Sequence, residues 1–515
     1  LMLAWAALRL RCRLPPPDPR PKLPPPPPFE RTALWQRFQP ALADHPQQSG
    51  VRALPDPVEA LAARIRLIRA AQSSILAQYY IWRGDISGAV LLHELLEAAR
   101  RGVQVRLLLD DNGIDRLDGA LKALDSHPDV EVRLFNPFVL RWPKRIGYLV
   151  DFARLNRRMH NKALVVDGTL AVVGGRNIGD EYFGATDGAL FADLDAVVAG
   201  PVVSDLVADF DRYWNCPSAH AVRRILSRTR AWPGQRIGSR AEAARQRPAA
   251  ARYARCFDAA PDPDPLLHPA GYEWVAARLV SDDPAKGLGR AERADHLADQ
   301  LLAATGQAER ELGIVSAYFV PTREGVTELA RLAARGVAVS ILTNAYEANN
   351  HVAVHAGYAP RRRALLEAGV RLLEVRREAS APFQPDPESF VLEDRPRRRR
   401  RRPGSLRSSG SALHAKTFAV DRARIFIGSF NFDPRSLALN TELGVLLESP
   451  RLAASLMAQF DRDFAGAAWR VELAGGRLRW VDPATGAIRT TEPGTSPASR
   501  LLVRFLGLLP IEWLL

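Results

Sequence analysis

Apolar residues along this chain keep changing period, and the changes themselves repeat. Residues 58–71 carry large apolar side chains three and four apart, which predicts a helix with one buried face. A strand follows at 74–82 (SILAQYYIW), then an amphipathic helix at 88–101, and Gly102 leads a second strand, VQVRLLL, into Asp110 and Asp111. In the second half the order recurs as strand 312–320 (LGIVSAYFV), helix 326–335 and a strand led by Gly336, VAVSILTN. Strands alternating with helices at this spacing predict an α/β fold of two halves, each a parallel or mixed sheet covered by helices.

Within the repeat lies a sharper one. His160-Asn-Lys162, four residues, Asp167, six residues and Gly174-Gly175-Arg-Asn177 reappear as His414-Ala-Lys416, Asp421 and Gly428-Ser429-Phe-Asn431. Both copies run into alternating apolar stretches, so each histidine and its lysine share one face of a strand. The chain has six lysines among its 71 basic residues. Finding lysine at both motif positions by chance is on the order of one in a hundred if Lys and Arg were interchangeable, so an ammonium point charge is wanted there.

Two histidines and two lysines define a chemistry. A neutral imidazole is a nucleophile toward phosphorus and splits one displacement into two through a covalent intermediate. A second imidazole on the opposite side protonates the departing alkoxide and then takes a proton from the incoming alcohol. Lys162, Lys416, Asn177 and Asn431 would stabilise the charge growing on the phosphoryl oxygens, work that a metal ion does elsewhere. No P-loop, H-E-x-x-H or calcium-loop pattern occurs, so neither a metal nor a cofactor is expected. Each imidazole also needs an orienting carboxylate. Asp193 lies on the strand-like segment 192–198 and Glu442 at the start of 440–447, so Asp193 is assigned to His160, with Asp195 as fallback, and Glu442 to His414. Asp167 and Asp421 end their strands before turns and read as structural acids.

Composition sets the frame for this chemistry. At 515 residues and 47% hydrophobic, the chain can build two or more cores. The expected division is a flexible proline-rich head (1–50), a first domain (51–265), a second (266–485) and an amphipathic tail (486–515). The apolar start LMLAWAALRL is either the stub of a targeting segment or a disordered head. The second half holds extra residues at 378–410, where Arg397 to Arg402 form an unbroken basic run. That run reads as a solvated loop near the site mouth, where each arginine contributes about 1 kcal/mol beside an anionic bilayer. The tail SRLLVRFLGLLPIEWLL reads as an interfacial helix, or as one completing the core. A net charge of +14 favours an anionic partner, nucleic acid or a phospholipid surface. Three widely spaced cysteines, Cys12, Cys216 and Cys256, predict neither disulfides nor a zinc site, as suits a reducing compartment.

These motifs resemble the signature of the phospholipase D superfamily, two HxKx4D motifs each followed by GG or GS and Asn. The likeness narrows to the bacterial cardiolipin synthases of the C type through Gln78-Tyr-Tyr-Ile-Trp82, Asn156 to Lys162 (NRRMHNK), Gly174 to Gly184 (GGRNIGDEYFG) and Ser281 to Gly287 (SDDPAKG). It continues through Ala317 to Thr322 (AYFVPT), His355-Ala-Gly-Tyr358, Gly428 to Ser436 (GSFNFDPRS) and Leu509 to Leu515, covering roughly residues 55 to 515. The resemblance implies two phospholipase D-like α/β/α sandwich halves about a pseudo-twofold, with the active site at their interface. It implies a metal-independent transphosphatidylase passing a phosphatidyl group, from phosphatidylethanolamine or a second phosphatidylglycerol, to phosphatidylglycerol. His160 would be the nucleophile and His414 the general acid then base. It further implies a peripheral or shallowly anchored protein of the bacterial cytoplasmic membrane; oligomeric state stays open. The alternatives are a lipid hydrolase, a superfamily nuclease or an inactive lipid-binding scaffold. The Leu/Trp-rich tail argues against nucleic acid, and two complete motifs argue against inactivity.

Overall fold

The computed structural model describes residues 9, 12–16, 23–184, 192–233, 235–257, 264–306, 308–349, 351–377, 383–386, 389–392, 413–462, 464, 466–509 and 512–514. The arginine run 397–402 and most of the apolar head lie outside the described residues.

Helix starts and stops follow local chemistry. Helix Pro57–Ala70 begins with proline in its first turn and the Asp56 side chain accepting from the Glu59 amide, and helix Ile86–Arg100 is capped the same way by Asp85. The latter ends at Gly102, and helix Arg323–Ala334 ends at Gly336, each with φ of +90°. In both, the glycine and the valine after it donate back into the last helical turn, Val103 to Ala98 and Val337 to Leu332. Only glycine takes that left-handed turn at no steric cost, which is why each copy of the repeat keeps it between helix and strand.

The first sheet has nine strands in the spatial order Ala219–Ala221, Val130–Phe135, Gln104–Ile114, Ser74–Trp82, Ala163–Val166, Leu170–Gly174, Asp195–Ala199, Ser49–Leu54 and Glu273–Val275. Its three strands from Val130–Phe135 to Ser74–Trp82 are parallel, and from there on pairing is antiparallel. The second sheet repeats the core of this order as Arg371–Val375, Ala338–Asn344, Glu311–Ser316, Lys416–Val420, Arg424–Gly428 and Leu443–Leu447, again three parallel strands and then antiparallel ones. Two α/β halves, each built on a mixed sheet, are therefore what the strand and helix pattern predicted, and their pseudo-twofold relation is what the resemblance implied. The chain crosses between them at Ala276, since Glu273–Val275 pairs in the first sheet and Ala277–Ser281 in the second.

Each sheet has its own outer core, and a third apolar cluster is shared. It joins Val173, Val198 and Phe210 of the first half to Val315, Ile427 and Phe460 of the second, all buried. Backbone bonds reinforce it. The His160 amide donates to Thr441 (2.8 Å), the Thr441 amide to Arg158 (2.9 Å), and the His414 amide to Ala192 (2.8 Å). Each motif histidine is thus placed by a main-chain bond to the opposite half.

The motif aspartates hold strand ends. Asp167 accepts the backbone amides of Gln72, Ser73 and Ser74, and Asp421 those of Glu309, Arg310 and Glu311. Replacing Asp167 with alanine strands three amide donors, so we expect urea unfolding to show a loss of about 3 kcal/mol. An unchanged unfolding midpoint would show that these amides find other partners.

Candidate active site

His160 enters the site from a rigid approach. Buried Asp110 takes the Arg158 Nε (3.0 Å) and the Met159 amide (2.8 Å), while the Arg158 guanidinium also donates to the carbonyls of Phe135 and Asn136. The two residues leading into the histidine are thereby fixed on Asp110 and on the carbonyls of Phe135 and Asn136.

The carboxylate partners cross between halves. Nδ1 of His160 lies 2.8 Å from Oε2 of Glu442, and Nδ1 of His414 lies 2.5 Å from Oδ2 of Asp193. This reverses the assignment made from sequence order, which paired each histidine within its own half. The reason is geometric. Within a sheet the acid-bearing strand stands two places from the histidine strand, whereas Met159 pairs with Thr441 and Ala192 with Leu413 across the junction. Those bridges set Glu442 beside His160 and Asp193 beside His414. Asp195, the fallback partner, instead forms a buried ion pair with Arg64 (2.8 Å) and Arg176 (3.4 Å).

The two acids are held differently. Glu442 accepts from the hydroxyls of Ser429 (2.5 Å) and Ser436 (2.8 Å), and its amide donates to Asp282, which also takes Lys286 Nζ at 2.9 Å. Asp193 accepts from the Leu194 amide (2.9 Å) and fills the space beside Gly175, where a Cβ would fall 2.1 Å from Oδ1. The single-residue difference between Gly175 and Ser429 thus makes room for the carboxylate in one half and supplies a hydroxyl donor to it in the other. Sequence reasoning gave Ser429 and Ser436 no role, although that Gly/Ser difference was visible.

Lys162 Nζ donates to the His160 carbonyl (2.5 Å), and Lys416 Nζ to the His414 carbonyl. Lys416 Nζ also lies 2.7 Å from Nδ1 of His414. Tyr80 packs edge-on against His160 and Tyr182 against His414, each with ring centroids 5.0 Å apart. Asn177, expected to face phosphoryl oxygens, is engaged otherwise. Its Oδ1 accepts from the Ile81 amide and its Nδ2 donates to the Tyr182 hydroxyl, so here it positions Tyr182. Among the described residues, Asn431 Oδ1 is buried without a hydrogen-bond partner.

Burial governs the electrostatics. It pushes His160 down to about 4, with Glu442 opposing and Lys162 assisting, and His414 down to about 3, with Lys416 assisting and Asp193 opposing. It also lowers Lys162 to about 7 and Lys416 to about 8. Burial alone would raise the acids, but Lys416 and His414 hold Asp193 low, and His160 and Lys162 hold Glu442 low. The resting site therefore contains two neutral imidazoles, two carboxylates and two lysines poised near neutrality.

Two mixed sheets about a pseudo-twofold, meeting at a His-Lys pair from each, define a phospholipase D-like protein. The family described as "Cardiolipin synthase, PLD-like domain" matches residues 64–214 and 301–464. The chain belongs to this cardiolipin synthase family of the phospholipase D superfamily. It is 45% identical over 487 residues to "Cardiolipin synthase C" of Escherichia coli, covering 92% of this chain and 98% of that protein. It is 28% identical to "Cardiolipin synthase A" of Pseudomonas entomophila, covering 80% of this chain and 68% of the relative. The crystal structure of phosphatidylserine synthase from Haemophilus influenzae has the same fold, with a TM-score of 0.52, 14% identity and coverage of 84% of this chain and 91% of that one.

The crossed pairing has a direct readout. In nitrogen-15 histidine spectra, Glu442→Gln is expected to move the ring signals of His160 and leave those of His414, with Asp193→Asn doing the converse. The opposite pattern would return each acid to its own half.

Proposed function

We propose that the chain is a cardiolipin synthase that transfers a phosphatidyl group to phosphatidylglycerol through a phosphohistidine. The observation that carries this reading is the pair of buried imidazoles, 7% and 9% exposed, each tied at Nδ1 to a buried carboxylate from the other half. With Nδ1 so occupied, Nε2 of His160 is the atom left to attack phosphorus.

In the first step the His160 Nε2–P bond forms and the bond from phosphorus to the head-group oxygen breaks, while His414, protonated at Nε2 once the phosphodiester anion has entered beside it, gives that proton to the departing oxygen. In the second, His414 takes the proton of a phosphatidylglycerol hydroxyl, whose oxygen bonds phosphorus as the N–P bond breaks. Glu442 steadies the charge on His160 throughout, and Asp193 does so for His414. The lysines regain full charge as the phosphodiester anion arrives. A deeply buried site favours an alcohol acceptor over water, which supports transfer above hydrolysis. The 45% identity to a protein named as a cardiolipin synthase supports the same reading. The donor is phosphatidylethanolamine or a second phosphatidylglycerol, and the place of action is the surface of the bacterial cytoplasmic membrane. We take the attachment to be peripheral or shallowly anchored; among the described residues no helix is long and apolar enough to cross a membrane.

Purified protein given labelled phosphatidylethanolamine and phosphatidylglycerol, with products resolved by mass, tests this. We expect cardiolipin from the wild type and a loss of at least about a thousandfold in His160→Ala and in His414→Ala. Undiminished cardiolipin in both variants would sink the mechanism, and DNA cleavage without lipid turnover would sink the substrate.

The lysines make a second prediction. A lysine is charged below its pKa, so cationic charge in the empty site is lost as pH rises through about 7 to 8. Since kcat/KM reports the free enzyme, it is expected to fall across that window. The limb in kcat should lie higher, because the bound anion raises both lysines. A kcat/KM that stays flat through the window would show that the lysine charge does not assist capture of the substrate.

A further inference from the structure

Nine of the eleven large apolar side chains exposed among the described residues fall on two short elements, one from each half. The first is Trp142 with the turn Lys144–Gly147 and the helix Tyr148–Leu155. Trp142 is 85% exposed and Leu149 72%, and Phe152 and Ile146 are exposed beside them. The second is the helix Pro497–Leu508, in which Val503 alone is buried while Leu501, Phe505 and Leu508 face outward, followed by exposed Trp513.

Although they come from opposite halves, Arg435 links their ends. The Arg435 guanidinium donates to the side chain (3.0 Å) and carbonyl (2.6 Å) of Asn156, the residue ending the first helix, and to the carbonyl of Leu514 (3.1 Å) in the second. The first element also borders the site. Its Tyr148 hydroxyl reaches Asn112 (3.4 Å), Asn112 reaches the Tyr80 hydroxyl (3.5 Å), and the Tyr80 ring packs on His160. His160 itself lies four residues beyond Asn156.

We propose that these two elements together are a docking surface for a phospholipid leaflet, holding the active-site mouth against the head groups. The proposal rests on the lipid-transfer reading above. Charge complementarity selects the occupant. The one acidic residue of each element is paired with arginine, Asp151 with Arg154 (2.7 Å) and Glu512 with Arg361 (2.9 Å). Exposed Arg145 and Arg504 stand among the apolar groups, where head-group phosphates would lie once Leu149, Phe152, Phe505 and Leu508 enter the acyl region. Two tryptophans at the edges suit the polar–apolar boundary. Attachment at one point from each half fixes tilt as well as depth, so a phosphodiester in the leaflet meets the histidine pair without leaving its head-group plane.

The test uses the full chain and vesicles of phosphatidylglycerol with phosphatidylethanolamine. Leu149→Ser/Phe152→Ser and Phe505→Ser/Leu508→Ser are each expected to weaken vesicle co-sedimentation at least about tenfold, since every exposed side chain that enters the acyl region adds apolar burial. Both should retain the wild-type melting temperature and the wild-type turnover of a short-chain, monomeric phospholipid. Brominated acyl chains are expected to quench the wild type more than Trp142→Phe. The proposal is overturned if both double variants bind vesicles as tightly as the wild type. It is also overturned if the wild type is a dimer that the variants convert to monomer with vesicle binding unchanged, since the surface would then serve a second copy. Vesicle binding is measured without turnover, so a chain that makes no cardiolipin yet loses binding in these variants would lose the functional reading and keep the docking surface.

Discussion

The crossing of two carboxylate–imidazole pairs between the halves is the constraint on which the rest of the structure depends. Glu442 and Asp193 are fully buried, and a buried carboxylate left alone costs several kcal/mol in desolvation. Each is relieved by a histidine and a lysine, and in each case the histidine belongs to the other half. Separating the halves would take from each acid its imidazole and from each histidine its carboxylate, and would expose the shared core around Phe210 and Phe460. The interface and the site are therefore one feature. The main-chain bonds from His160 to Thr441 and from His414 to Ala192 work at the same place, setting each histidine in register with the acid that serves it.

Within that near-symmetry, the two sides differ in how the acid is held. Glu442 is longer than Asp193 and sits in a shell of two hydroxyl donors with its amide on Asp282, an arrangement that fixes the carboxylate before any substrate arrives. Asp193 has one backbone donor of its own and Lys416 at 3.9 Å, with the lysine also against the imidazole. A rigid neutral-donor shell suits an imidazole that must hold one orientation through bond making. A nearby ammonium suits one whose proton comes and goes. The difference in surroundings is thus built into the hydrogen-bond shell, close to the histidines.

Much of this was legible in the sequence because it is local or periodic. The glycines at 102 and 336, the strand 74–82 and the strand-end aspartates are each set by residues within a few positions, and the structure has them where the pattern put them, whereas His160, Lys162 and His414 come just ahead of the strands expected to carry them, which begin at Ala163 and Lys416. What was illegible is what depends on the junction. Pairing acids with histidines by order along the chain assumes that each half is self-sufficient, and no local pattern reports a pseudo-twofold that exchanges them. Asn177 shows the same limit, since its amide is claimed by Ile81 and by Tyr182, which packs on the histidine of the other half. The exposed helix Tyr148–Leu155 escaped notice for another reason. It is eight residues long with a non-helical Asp151 inside, too short and too irregular for apolar periodicity to register.

The scarcity of lysine in an arginine-rich chain also acquires a physical basis. Burial lowers both site lysines to about 7 and about 8, a range in which an ammonium can shed or regain a proton as its surroundings change. A guanidinium cannot do so, because it stays protonated in any protein environment. An arginine at either position would bury a permanent charge while the site is empty. It would also bring a planar fork in place of the single Nζ that donates to each histidine carbonyl. Lysine lets the charge follow the phosphate. The empty site is spared the full desolvation of two more ions, and a phosphodiester anion entering between the imidazoles draws protons onto Lys162 and Lys416. The strongest stabilisation then arises only when the group to be stabilised is present.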